Sequence, residues 1–116
     1  MPMKAPVHVL RIFMGDLDKI SSVPAFEKII TEAKNHGLAG AIVFRSIMGF
    51  GGTGRKIHAA KLFRRSENLP IVIEIADEKE KIDGFLPFID AIFIKANCGG
   101  LLTIEKVEVI QYALKK

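Results

Sequence analysis

The chain has 116 residues, with 17 basic and 13 acidic side chains and a net charge of +4, a length that suits one domain whose core needs neither disulfides nor a structural metal. A hydrophobic fraction of 49% excludes disorder, and no apolar run reaches the length of a membrane-spanning helix. One cysteine, Cys98, excludes an internal disulfide framework, and Arg11 interrupts the only N-terminal apolar stretch, so no signal-peptide core is expected and a cytoplasmic setting is.

Residues 7–14 alternate as a strand, with His8, Leu10, Ile12 and Met14 on one face and Val7, Val9, Arg11 and Phe13 on the other. Gly15 and Asp16 end it. Pro24 opens a helix that Ser21 or Ser22 is placed to cap. Phe26, Ile29, Ile30 and Ala33 form its apolar stripe, and Gly37 stops it. Residues 39–47 read as a second strand and 71–76 as a third. Asp77 then heads a second helix, with Glu80 three residues on in capping-box form. Ile82, Phe85, Leu86 and Ile89 repeat the first helix's stripe, while Gly84 and Pro87 predict a short or irregular helix. Residues 91–96 read as a fourth strand. The tail supports two readings: Val107, Val109 and Gln111 against Ile110 and Tyr112 suit an added strand, whereas Ile104, Val107, Ile110 and Leu114 suit a helix.

This order describes a single α+β domain over residues 1–116, a ferredoxin-like βαββαβ sandwich. It has an antiparallel four-stranded sheet with both helices on one face, and a C-terminal strand is one option for the tail. The uncovered face is expected to carry Val7, Val9, Phe13, Ala41, Val43, Ile47, Val72, Ala76, Ala91 and Phe93. An apolar surface of that size is not left in water, so it is expected to pack on other copies of the chain. Each strand also places one charge there (Arg11, Arg45, Glu74 and Lys95), and Glu74 is expected to pair with a cation within or across subunits. A one-residue slip in any strand would exchange its faces.

Two glycine-rich turns follow strands. In IMGFGGTGRKIH, residues 47–58, the run from Gly49 to Lys56 nearly matches the phosphate-loop pattern GxxxxGK[ST]. Arg55 replaces the lysine and Lys56 the hydroxyl residue that would hold magnesium, which argues against a nucleotide hydrolase. Bare backbone N–H groups and adjacent cations still suit a phosphate. The second turn, Asn97-Cys98-Gly99-Gly100, follows Lys95. Arg55, Lys56, Lys61, Arg64 and Arg65 make a local basic patch that points to an anionic partner. Phe63 is the only aromatic beside them, so nucleic acid is not the expected partner. His8, His36 and His58 lack ligand-type neighbours, so no metal site is expected. No catalytic set emerges from the spacing either. Lys95 nearby would suit a reactive Cys98 thiol, but a buried inert thiol is the expected state.

The strings GLAGAIVFRSIMGFG, RKIHAAKLFRRSENLPIVIEIAD and EKIDGFLPFID resemble the DUF190 group of PII-like proteins along nearly the whole chain. More distantly, MGFG followed by LPIVIEI is similar to the nitrogen-regulatory PII proteins, in which a GFG turn leads into a long loop that returns through a similar strand. The resemblance implies a homotrimer with adenine-nucleotide sites, for ADP or ATP, in the clefts between subunits. It also implies control of partner proteins, membrane transporters among them, through the loop. By position, Gly49, Phe50 and Gly51 match the turn that contacts nucleotide, Glu74 matches a glutamate near the base, and Asn97, Gly99 and Gly100 match a phosphate turn. Leu101 stands where the PII lysine follows that turn, the paired arginines of the last PII strand have no counterpart, and the only tyrosine is Tyr112. Uridylylation control is therefore not expected, and the compensating cations would be Arg55 and Lys56, with Gly52 in the same turn.

The leading expectation is a non-catalytic regulator whose 49–68 loop orders when nucleotide binds. The alternative is a structural or adaptor trimer that grips an acidic protein or a membrane surface with its basic loop.

Overall fold

The computed structural model describes residues 6–51, 57–59 and 68–110. Its elements are β1 (Val7–Gly15), β2 (Lys19–Ile20), β3 (Val23–Pro24), α1 (Ala25–Asn35), β4 (Ala41–Arg45), β5 (Met48–Gly49), β6 (His58–Ala59), β7 (Pro70–Glu78), α2 (Lys79–Ala96) and β8 (Leu101–Val107). The main sheet has the order β4-β7-β1-β8, and every neighbouring pair is antiparallel. With α1 and α2 on one face, this is the ferredoxin-type α+β sandwich expected from the sequence.

Register fixes which side chains meet the helices. Leu10 lies opposite Ile75, Ile12 opposite Ile73 and Met14 opposite Ile71, and all six are buried against Ala25, Ile29, Ala33, Ile82, Phe85, Ile89 and Ile92. Residues at 82, 85, 89 and 92 recur at helical spacing, so α2 keeps one continuous apolar stripe through its whole length.

That stripe overturns the expected fourth strand. Residues 91–96 belong to α2, which runs 18 residues despite Gly84 and the internal Pro87. Both breakers lie on its exposed side, where burial of the opposite face outweighs the hydrogen bond that proline removes. The fourth strand of the sheet is β8, at residues 101–107, which starts earlier than either reading of the tail; residues 108–110 lie outside any helix or strand, and Gln111, Tyr112 and Leu114 lie outside the described residues. Ala91, Phe93 and Lys95 therefore lie on a helix and not on the open sheet face.

Neither expected N-cap forms. Pro24 is the cap residue of α1 and has no side-chain hydrogen bond to the helix, and Ser21 instead takes a positive φ of 55° in the turn before it. Asp77 is the second-last residue of β7, and the cap of α2 is Glu78, also without a side-chain bond to the helix. The buried Asp77 carboxylate instead accepts the Ala39 N–H at 2.8 Å and the Glu78 N–H at 2.6 Å. It thereby ties the start of β4 to the end of β7.

Strand β4 is phased one residue away from the expectation. Ala41 and Val43 lie opposite Ile75 and Ile73 and pack on the core, so Ile42 and Phe44 occupy the open face. The open face thus carries Val9, Arg11 and Phe13 from β1, Val72, Glu74 and Ala76 from β7, Ile42 and Phe44 from β4, and Leu101 and Thr103 from β8. Val7 sits on that face yet is buried. Arg45 lies in the column of Ile71, and Ile47 falls beyond the strand.

Candidate functional site

The two glycine turns, about fifty residues apart in the chain, come to the same end of the sheet. At this end Gly15 lies opposite Pro70, and Phe13 lies between Val72 and Leu101. Gly49 pairs with His58 in the short β5–β6 ribbon, and a Cβ on Gly49 would sit 3.2 Å from the Pro70 ring. Gly51 follows with φ +137°, a conformation open to glycine and strained for other residues.

The second turn starts where α2 ends. Asn97 caps the helix in the left-handed conformation, φ 50°, and its N–H bonds to the Ile94 carbonyl at 3.1 Å. Gly100 is then pressed onto β1, where an added Cβ would fall 2.6 Å from the Phe93 ring and 2.8 Å from the Phe13 carbonyl oxygen. Phe13 is thus shared by both turns. It backs Gly100, and with Met14, Phe50, Gly51, Pro70 and Leu101 it lines a cavity of about 190 Å³.

The sequence-predicted residues Gly49, Phe50, Gly51, Asn97, Gly99 and Gly100 therefore cluster at one end of the sheet. Gly52, Arg55 and Lys56 lie outside the described residues, as do Lys61, Arg64 and Arg65. Glu74 stands apart. It is four residues along β7 from Pro70, about 13 Å at the usual strand rise. Glu74 Oε2 accepts from Arg11 Nε at 2.9 Å, and Arg11 Nη1 donates to Glu105 Oε1 at 2.6 Å. The hydrogen bonds from Arg11 to Glu105, and then to Glu74, raise the guanidinium pKa above its usual value. The expected cation for Glu74 is therefore found within the same chain.

Sequence reasoning missed the clamp beneath the site. The Asp16 N–H donates to the Leu69 carbonyl at 2.9 Å, and the Leu69 N–H to Asp16 Oδ1 at 3.0 Å. Asn68 Oδ1 accepts the Leu17 N–H at 2.8 Å, while its Nδ2 donates to Asp18 Oδ1 at 3.2 Å. Together they fix the point where the chain returns at residue 68 against the end of β1. Burial is the largest influence on Asp18 and pushes its carboxyl pKa up, against the lowering effect of the Asn68 bond. Burial also raises the Cys98 thiol, and the Asp18 charge adds to it. A Gly15-Asp16-x-Asp18 run alone carries no sign of this clamp, because its partners lie about fifty residues away.

The open face beside the site is apolar and exposed: Ile42 is 59% accessible, Phe44 49% and Leu101 58%. At its far end a cavity of about 270 Å³ lies among Val7, Val9, Gly40, Ile42, Ala76 and Val109. Among the described residues there is no group of three or more His, Cys, Asp or Glu side chains able to hold a metal, and no helix long and apolar enough to cross a membrane.

The model of the family DUF190, described as "Uncharacterized ACR", matches residues 7–109. A UPF0166 protein of Aquifex aeolicus (strain VF5) is 43% identical over 102 residues, 88% of this chain and 91% of the relative. A UPF0166 protein of Methanocaldococcus jannaschii is 34% identical over 79 residues, 68% of this chain and 71% of the relative. Among solved structures, CPII, a nitrogen regulatory PII-like protein from Thiomonas intermedia K12 bound to ADP, AMP and bicarbonate, aligns with a TM-score of 0.59. That alignment has 20% identity and covers 95% of this chain and 94% of that one. The apo form of CPII aligns at 0.51, with 19% identity over 90% of this chain and 91% of that one. The fold is therefore PII-like.

Proposed function

The chain belongs to the DUF190 family, and from that premise we propose that it is a non-catalytic, PII-like regulator that binds an adenine nucleotide, ADP or ATP, in clefts between the subunits of a cytoplasmic homotrimer. The observation that carries this reading is the meeting of the two glycine turns around Phe13, at the rim of an apolar sheet face that needs covering. Backbone N–H groups of Gly51, Gly99 and Gly100 would take the phosphates, and Arg55 and Lys56 would neutralise them. The fold neighbour CPII, solved with ADP, supports the same ligand class.

Glu74 fits a place near the base. Arg11 holds its Oε2, which orients the carboxylate and leaves Oε1 to accept from an exocyclic amino group. Nucleotide at the rim would order the loop from 49 to 68, whose return point is pinned by Asp16 and Asn68, and a regulated partner protein would read that change.

Calorimetric titration with ADP, ATP and AMP tests the reading. Saturable heat with ADP or ATP supports it, and absence of heat at millimolar nucleotide removes it.

A further inference from the structure

The helical face of the molecule carries a second feature. The start of α1 lies beside the end of α2, and the end of α1 lies beside the middle of α2, where the His36 ring meets that of Phe88 with centroids 4.0 Å apart. Between the helices runs a trough of about 290 Å³, floored by Ala91 and Ile92 and closed at one end by Phe88. Lys28 stands on one bank and Lys95 on the other. Neither lysine has an ion-pair partner among the described residues. Glu32, the one carboxylate in the lining, lies 3.6 Å from His36 Nδ1.

We propose that this trough is the docking site for an acidic amphipathic helix of a partner protein. Its size lies at the lower limit of enclosed small-molecule pockets, and its top is open, which suits inserted side chains better than a whole ligand. A groove between two packed helices receives the side-chain ridge of a third. The floor from Phe88 to Lys95 is about 10 Å long, two helical turns. An apolar guest side chain over Ala91 would place acidic residues one turn away, between Lys28 and Lys95. Two unpartnered ammonium groups against one carboxylate set the sign of the guest's charge. The trough lies on the helical side, away from the open sheet face, so it needs no second copy of the chain.

Fluorescence anisotropy tests the proposal with the full chain, no nucleotide, and two labelled synthetic amphipathic helices. Both have leucine along one face; the other face is glutamate in one and lysine in the other. The acidic helix should bind saturably and weaken about tenfold between roughly 50 and 300 mM salt. Ala91→Arg, which fills the floor, should weaken it by about tenfold or more, and the surface pair Lys28→Glu with Lys95→Glu should reverse the preference toward the basic helix. Circular dichroism confirms that the variants are folded. Any of three results overturns the proposal: no saturable binding of the acidic helix, binding indifferent to Ala91→Arg, or an unchanged preference in the charge-reversed chain. Saturable binding of decanoate in place of the acidic helix would likewise overturn it, assigning the trough to a small amphipathic anion.

Discussion

Arg11 and Glu74 face each other across β1 and β7, joined at 2.9 Å in the middle of a mostly apolar sheet face. The same guanidinium reaches Glu105 on β8, opposite Val9, at 2.6 Å, so one cation holds a carboxylate on each neighbouring strand. In water such a cluster contributes little, but beneath a second subunit an orphaned carboxylate becomes expensive.

Replacing Arg11 with Met should therefore act on assembly. By sedimentation, Arg11→Met should weaken association by about tenfold or more, because it leaves Glu74 and Glu105 buried without a partner. The triple change Arg11→Met, Glu74→Met, Glu105→Met should restore association. Equal sedimentation of wild type and Arg11→Met would mean that this face is not covered by another copy.

Gly100 and Gly84 make a matched pair. At Gly100 a methyl group meets the Phe93 ring and the Phe13 carbonyl oxygen, whereas at Gly84, on the exposed side of α2, nothing lies within 4 Å. Gly100→Ala should destabilise the chain by about 1–3 kcal/mol in denaturant titration. Gly84→Ala should stabilise it by up to about 1 kcal/mol. Equal midpoints for the two variants would refute the packing described around Phe13.

Asp18 gives a pH dependence with a defined sign. Its folded carboxyl pKa is raised, chiefly by burial. Its stabilising contribution is therefore complete below the unfolded carboxyl pKa of about 3.9 and is lost as pH rises through the folded value. Asp18→Asn cannot ionise, so its stability relative to wild type should rise between about pH 4 and pH 7. The gain should stay below about 1 kcal/mol, because the group is partly solvated. Thermal unfolding at both ends of that range measures it, and a relative stability that falls with pH would contradict the assignment.

Much of the fold was legible because β1 and the two helices carry unambiguous periodicity. Leu10, Ile12 and Met14 alternate, and Phe26, Ile29, Ile30 and Ala33 recur at helical spacing. Alternation loses its meaning where both possible faces are apolar. In β4 the set Ala41 and Val43 looks no different from Ile42 and Phe44, so alternation cannot phase the strand, and only pairing with Ile73 and Ile75 decides it. The segment AIFIKA alternates as a strand would, yet Ile92 extends the stripe of Ile82, Phe85 and Ile89 by one turn, the mark of a longer helix. At the site, the glycines could be read because each follows a strand or a helix end. Phe13 and Asn68 could not be, since their partners are distant in the chain.

If the two glycine turns form one phosphate site, a crystal structure of the chain grown with ADP will show it. The expected nucleotide lies in a subunit cleft, its phosphates accepting hydrogen bonds from backbone N–H groups of Gly51 and of Gly99 or Gly100, with the base toward Glu74. Nucleotide bound away from both turns, or none at millimolar ADP, would contradict it.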